Sequence, residues 1–235
     1  MYSIKEIFYT LQGEGANAGR AAIFCRFTGC NLWSGRERDR AGAICKFCDT
    51  DFVGIDGTMG GQYKTAEALV DAIQGLWPAD QIKNKFVVLT GGEPLLQVDR
   101  NLTKRLHKSG FEVAVETNGT IPVPNGIDWV CVSPKQGAKL RVTRGNEIKI
   151  VFPQIDLQLV EFENMSFDHF FLQPMDNRNR EENTNLCINA CLENPKWRLS
   201  VQTHKEIGIR EIYKHELCRL PKLSGIIRGG IVNTV

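Results

Sequence analysis

No run of about 18 apolar residues occurs in the 235-residue chain, which removes any obvious membrane-spanning helix. The opening stretch, Met1 to Thr10, has no basic-then-apolar leader pattern, so a cytoplasmic protein is expected. Charge of one sign is also scarce. Lys and Arg number 29 against 27 Asp and Glu, and a formal +2 gives no strong pull towards nucleic acid or a membrane surface. The densest basic cluster, Arg36, Arg38 and Arg40, is interrupted by Glu37 and Asp39 and reads as a solvated mixed-charge face.

What is present is globular: 42% hydrophobic and 24% charged residues, in a length that suits one domain with a sizeable core. Eight cysteines need a separate explanation. Without an export signal they point to metal binding or chemistry rather than disulfides. Cys25, Cys30, Cys45 and Cys48 crowd one early segment, whereas Cys131, Cys187, Cys191 and Cys218 are scattered; Cys187 and Cys191, four apart in a helical pattern, read as small buried hydrophobes rather than a ligand pair.

Short apolar segments recur along the chain and end in polar turns. Residues 23–27, 86–89, 112–115, 129–132, 147–152 and 170–172 read as strands, with 199–201 a further candidate, and 66–76 and 101–109 carry helical patterns. This alternation predicts an α/β fold with a mainly parallel sheet. The connection from Gly119 to Asp128 is too short and too rich in Pro and Gly for a full helix, so the expected architecture is a partial, abridged (β/α) barrel. Polar residues follow five strands: Thr90 and Glu93, Glu116 and Asn118, Ser133 and Lys135, Gln173 and Asp176, and His204. In parallel barrels such strand ends form one rim on which active sites are built. Each residue taken singly is equally a turn former.

The strongest local signal is Cys30-x14-Cys45-x2-Cys48. A structural zinc wants a fourth ligand and would recruit Cys25, which lies inside an apolar strand pattern on the opposite pleat face from Arg26. A fully ligated iron–sulfur cluster also wants four cysteines, and a cluster with one open iron wants three. Spacing alone leaves these readings open.

Phe47 before the last cysteine, together with Thr90-Gly91-Gly92-Glu93-Pro94, resembles the radical S-adenosylmethionine (SAM) superfamily. Its usual first gap of three residues is expanded here, making residues 31–44 an insertion with Arg36 to Arg40 as its polar surface. The segments Tyr9 to Gly15, Cys25-Arg26-Phe27, Gly29 to Trp33, Cys48 to Asp51, Glu116 to Gly119, Ser133-Pro134-Lys135, Gln173 to Asp176 and Gln202 to Lys205 then resemble the 7-carboxy-7-deazaguanine synthase family, over roughly residues 2–210. Residues 1–210 would form the single catalytic domain. Residues 211–235 would be an extension, with a short helix over 211–220, beyond the point where relatives end.

The resemblance implies a lyase that converts 6-carboxy-5,6,7,8-tetrahydropterin to 7-carboxy-7-deazaguanine with loss of ammonia, towards queuosine. It implies a [4Fe-4S] cluster on Cys30, Cys45 and Cys48, and Mg2+ at Thr50. SAM would contact Phe47, Asp49, Gly91, Gly92, Glu93, Ser133, Pro134, Lys135, Gln173, Pro174, Met175 and Asp176. The pterin would contact Leu11, Gln12, Gly13, Glu14, Arg26, Thr90 and His204, with the Arg26 guanidinium suited to the substrate carboxylate. The expected partners are an electron donor such as flavodoxin or ferredoxin and a second copy of the chain. Two other classes stay open: an activase that makes a glycyl radical on a partner protein, and a non-enzymatic zinc module.

Overall fold

The first strand owes its two phases to a bulge. In β1 (Tyr2–Leu11) the buried Tyr2 and Ile4 share one face, the register slips between Ile4 and Glu6, and Ile7 and Tyr9 continue that face. Glu6, Phe8 and Thr10 are thereby turned to the other side. This computed structural model describes residues 1–209; the expected extension 211–235, its helix and Cys218 lie outside the described residues.

The remaining elements follow in order: β2 (Ala21–Phe27), β3 (Gly61–Tyr63), α1 (Ala66–Leu76), β4 (Phe86–Gly91), α2 (Arg100–Lys108), β5 (Glu112–Thr117), β6 (Trp129–Val132), β7 (Arg144–Phe152), α3 (Val160–Glu163), β8 (Ser166–Pro174), α4 (Arg180–Glu193), β9 (Arg198–Leu199) and α5 (Thr203–Glu206). They build one nine-stranded sheet in the order β3-β1-β2-β4-β5-β6-β7-β8-β9. β1 pairs antiparallel with β2 and β3, and every pairing from β2 to β9 is parallel. α1 and α2 begin at side-chain caps: Thr65 accepts from Ala68 N at 3.2 Å, and Asp99 from Leu102 N at 2.9 Å.

No helix joins β5 to β6 or β6 to β7, and α3 is a single turn. The abridged barrel expected from the sequence is therefore observed. β1 and β3 escaped the sequence reading because β1 breaks its alternation at the bulge and β3 is only three residues long.

Two cores fill the helix-covered face. Ile4, Ile23, Leu69, Leu89, Leu102 and Val113 belong to one, beneath α1 and α2, and Ile148, Ile150, Leu172, Cys187 and Trp197 to the other, beneath α4. On the opposite face, Ala22, Phe86, Val88 and Ala114 close the inner end, with Arg20 lying 3.8 Å from the Phe86 ring centroid and paired to Glu112. No helix of the described residues is long and apolar enough to cross a membrane.

Candidate active site

Because the strands run parallel, their carboxyl ends share one rim, and that rim opens into a cleft of about 890 Å3. Cys30 after β2 lines it, as do Cys45 and Cys48. Their loop is held by a satellite core of Leu32, Trp33, Cys45 and Phe52, with Phe47 and Ala138 against it. Ile44 N and Cys45 N both donate to Leu32 O, at 3.1 and 3.2 Å, pinning the end of the 31–44 insertion. The adjacent Cys45 and Cys48 thiols act on each other: the proximity of Cys48, against burial and helped by the Lys135 charge, lowers Cys45, while the proximity of Cys45 together with burial pushes Cys48 up.

Cys25 sits fully buried among the α1-side residues of β2, where burial pushes its thiol up. It supplies no fourth ligand. Among the described residues no group of three or more His, Cys, Asp or Glu side chains is gathered for a single metal ion. Three soft sulfur donors without a fourth suit an iron–sulfur cluster that keeps one iron open.

Two glycines let β4 end against the cysteine turn. Gly91 has φ 139°, and a Cβ there would lie 2.1 Å from Phe27 O; at Gly92 it would lie 2.2 Å from Gly29 O and 2.9 Å from the Cys30 Cβ. Glu93 corrects the sequence expectation. Its carboxylate does not line the cleft but is fully buried, accepting from Leu95 N at 3.0 Å, Thr117 Oγ1 at 2.8 Å and Asn118 N at 2.8 Å. It braces the end of β4 to the end of β5. Pro134 and Met175 are likewise absent from the cleft wall.

The other residues expected around SAM do meet at the rim: Phe47, Asp49, Ser133, Lys135, Gln173, Pro174 and Asp176. Lys135 Nζ donates to Ser133 Oγ at 2.6 Å, and Lys205 of α5 bridges Asp49, at 2.7 Å, and Asp176. Thr50 lines the same wall, and its carbonyl accepts from the Cys48 thiol.

Leu11, Gln12, Gly13, Glu14, Arg26, Thr90 and His204 line the same cleft. Arg26 is already engaged, its Nε donating to Glu6 at 2.6 Å. Gly13 lies under His204, where a Cβ would come within 2.2 Å of Nδ1, and burial lowers the His204 pKa. Glu14 belongs to a charge network that the sequence reading missed. Lys149, its side chain only 4% exposed, donates to Glu14 at 2.6 Å and to Glu116 at 3.0 Å. Gln12 donates to Glu116 at 3.3 Å and Gln202 to Glu14 at 2.9 Å. Glu147, next to Lys149 on this face of β7, accepts from Ala16 N at 2.9 Å. Burial alone would lower Lys149, but the acidic groups around it, Cys131, Glu116 and Glu14 foremost, hold it well above the ordinary lysine value. The available signal was the alternation of Glu147 and Lys149 with Ile148 and Ile150.

Arg40 is a further correction. It is not part of a solvated face: its guanidinium lies 4.0 Å from the Trp33 ring centroid and donates to backbone carbonyls of the cysteine loop.

Comparison with known proteins places this geometry in context. No family model matches the chain. It is 60% identical over 208 residues to the 7-carboxy-7-deazaguanine synthase of Burkholderia multivorans, covering 88% of this chain and 99% of that protein. It is 61% identical over 209 residues to the protein of the same name from Bradyrhizobium diazoefficiens, covering 89% and 99%. The crystal structure of QueE from Escherichia coli superposes with a TM-score of 0.62 at 31% identity, covering 86% of this chain and 94% of that one.

Proposed function

We propose the chemistry of this cleft from one premise, that the chain belongs to the 7-carboxy-7-deazaguanine synthase family. It is accordingly a radical SAM enzyme of queuosine and 7-deazapurine biosynthesis, and both the activase and the zinc-module readings give way. The substrate in this reading is 6-carboxy-5,6,7,8-tetrahydropterin and the product 7-carboxy-7-deazaguanine, with ammonia released. When bound, a [4Fe-4S] cluster and SAM supply hydrogen-atom abstraction, which closed-shell side chains cannot perform.

The chain's own residues hold, orient and exclude. Cys30, Cys45 and Cys48 would hold the cluster, and Gly91 and Gly92, which pack closely against residues 27–30 and line the cleft, would present backbone to the amino end of SAM beside Cys30. Phe47, Asp49, Ser133, Lys135, Gln173, Pro174 and Asp176 would take the rest of that cofactor. The carboxyl groups of Glu14 and Glu116 are acceptors suited to the N–H and amino donors of a pterin ring; Lys149 holds Glu14 ionised and opposes the effect of burial on Glu116. Arg26 and Thr90 would meet the substrate carboxylate from the β2 and β4 side, and His204, neutral through burial, would add one hydrogen bond. A cytoplasmic homodimer fed by flavodoxin or ferredoxin completes the reading.

The single observation that carries it is the juxtaposition of three cysteines lacking a fourth with a charged, hydrogen-bonding floor in one cleft. Anaerobic enzyme given SAM, a reductant and the carboxylated tetrahydropterin is expected to release 7-carboxy-7-deazaguanine, detected by mass spectrometry. Reductive cleavage of SAM without that product would overturn the substrate assignment.

Mg2+ is assigned to Thr50, a hard oxygen donor in the cleft wall, since this ion keeps several waters and needs few protein oxygens. Thr50→Ala is expected to lose Mg2+ stimulation of turnover while iron content stays at the wild-type level. A variant as Mg2+-responsive as the wild type would remove Thr50 from that site.

A further inference from the structure

We propose that Arg40, carried by the 31–44 segment, is a positioning residue that clamps the cysteine loop. The proposal rests on the cluster reading above and deepens it. Arg40 Nη1 donates to Lys46 O at 3.2 Å and to Cys48 O at 3.3 Å, and Nη2 donates to Cys48 O at 3.3 Å. One planar cation thus grips the backbone on both sides of Phe47, within the Cys45-x2-Cys48 turn.

The guanidinium is itself fixed from two other directions. Its Nε donates to both Glu37 oxygens, at 2.9 and 2.8 Å, and its flat face lies over Trp33. Trp33 is locked by an edge contact with Phe52 at 5.6 Å and by donation from Nε1 to Arg36 O at 3.3 Å. Trp33 follows Cys30 by three residues, so the stack couples the Cys30 arm to the Cys45 and Cys48 arm through one side chain.

Regular secondary structure is absent from residues 43–60, and backbone hydrogen bonds that would otherwise hold such a turn are few. A bidentate donor substitutes for them. Neighbouring Arg38 has 72% of its side chain exposed and pairs only loosely with Asp39 at 3.7 Å, so the two arginines are separable by mutation.

The test uses the full chain, reconstituted anaerobically without substrate. Arg40→Ala is expected to load a cluster and then surrender iron to a chelator about tenfold faster than wild type, the scale on which groups around a metal's ligands act. Iron content and visible absorbance read this without any turnover. Arg40→Lys should fall between them, because an ammonium can neither span two carbonyls nor lie flat on an indole, and Arg38→Ala should match the wild type. In the cluster-free proteins, chymotryptic cleavage at Phe47 should be faster for Arg40→Ala than for wild type, a readout independent of iron. Equal iron release and equal cleavage in wild type and Arg40→Ala would overturn the clamp, as would an Arg38→Ala variant as labile as Arg40→Ala. A wild-type chain that loads no cluster would instead overturn the cluster reading, with the cleavage comparison still deciding the clamp.

Discussion

Lys149→Met is expected to lower folding stability by about 3–5 kcal/mol, because it leaves carboxylates buried without their counter-ion. The carboxylates concerned are Glu14 and Glu116, both within hydrogen-bond distance of Nζ, with Glu147 beside them. Urea denaturation at pH 7 measures the loss, and a deficit below about 1 kcal/mol, the range of an exposed pair, would show that the pair is not a buried one.

The same variant carries a pH signature. Burial works to raise Glu14, but Lys149 and Gln202 outweigh it and hold its carboxyl at about 2, below the ordinary 4.5. A depressed carboxylate contributes stability above its unfolded pKa and loses it as pH falls through the folded value. The wild type therefore surrenders this contribution between pH 4.5 and about 2. Glu116 shifts the other way, raised by burial against the pull of Lys149, so its ionised form opposes folding and protonation relieves it. Without Lys149 both carboxyls are raised. The stability gap between variant and wild type is then expected to narrow steadily as the urea series is repeated from pH 5 downward. A gap that stays constant would place the loss in packing rather than charge.

Glu93→Ala is the second large effect, expected to cost about 2–4 kcal/mol. It strips the acceptor from Leu95 N, Thr117 Oγ1 and Asn118 N at once, and each orphaned buried donor costs about 1–3 kcal/mol, less the burial penalty that a carboxylate no longer suffers. For a chain of this size that corresponds to a fall in Tm of roughly 5–15 °C. Glu93→Gln keeps one acceptor and should fall less, and its affinity for SAM should equal that of the wild type, because the carboxylate faces away from the cleft. A Glu93→Gln protein of normal stability that no longer binds SAM would make Glu93 a cofactor contact after all.

The contrast between Glu93 and Gly92 shows how far the sequence reads. The segment Thr90 to Pro94 is legible as a strand end, and the clash that a Cβ would meet at Gly92 is the reason that glycine stands there. Whether the next side chain points into the cleft or back under β5 depends on where Thr117 and Asn118 lie, and they are more than twenty residues away. Cys25 was legible for the opposite reason. Pleat parity alone sets it against Arg26, and the structure places it in the core as that parity requires. Arg40 was misread because its neighbours in sequence are charged, whereas in space Trp33 and two backbone carbonyls join Glu37 around it.

Sequence alone determined the strands β2 and β4 to β8, the helices α1 and α2, the abridged barrel, the crowding of Cys30, Cys45 and Cys48, and the rim of polar strand ends. These follow from periodicity, parity and spacing, which act over a few residues. Only the tertiary structure decided the direction of Glu93, the grip of Arg40 and the burial of Lys149 among carboxylates. Each depends on partners brought near by chain closure, and in a desolvated interior a charge is fixed by what surrounds it rather than by what precedes it.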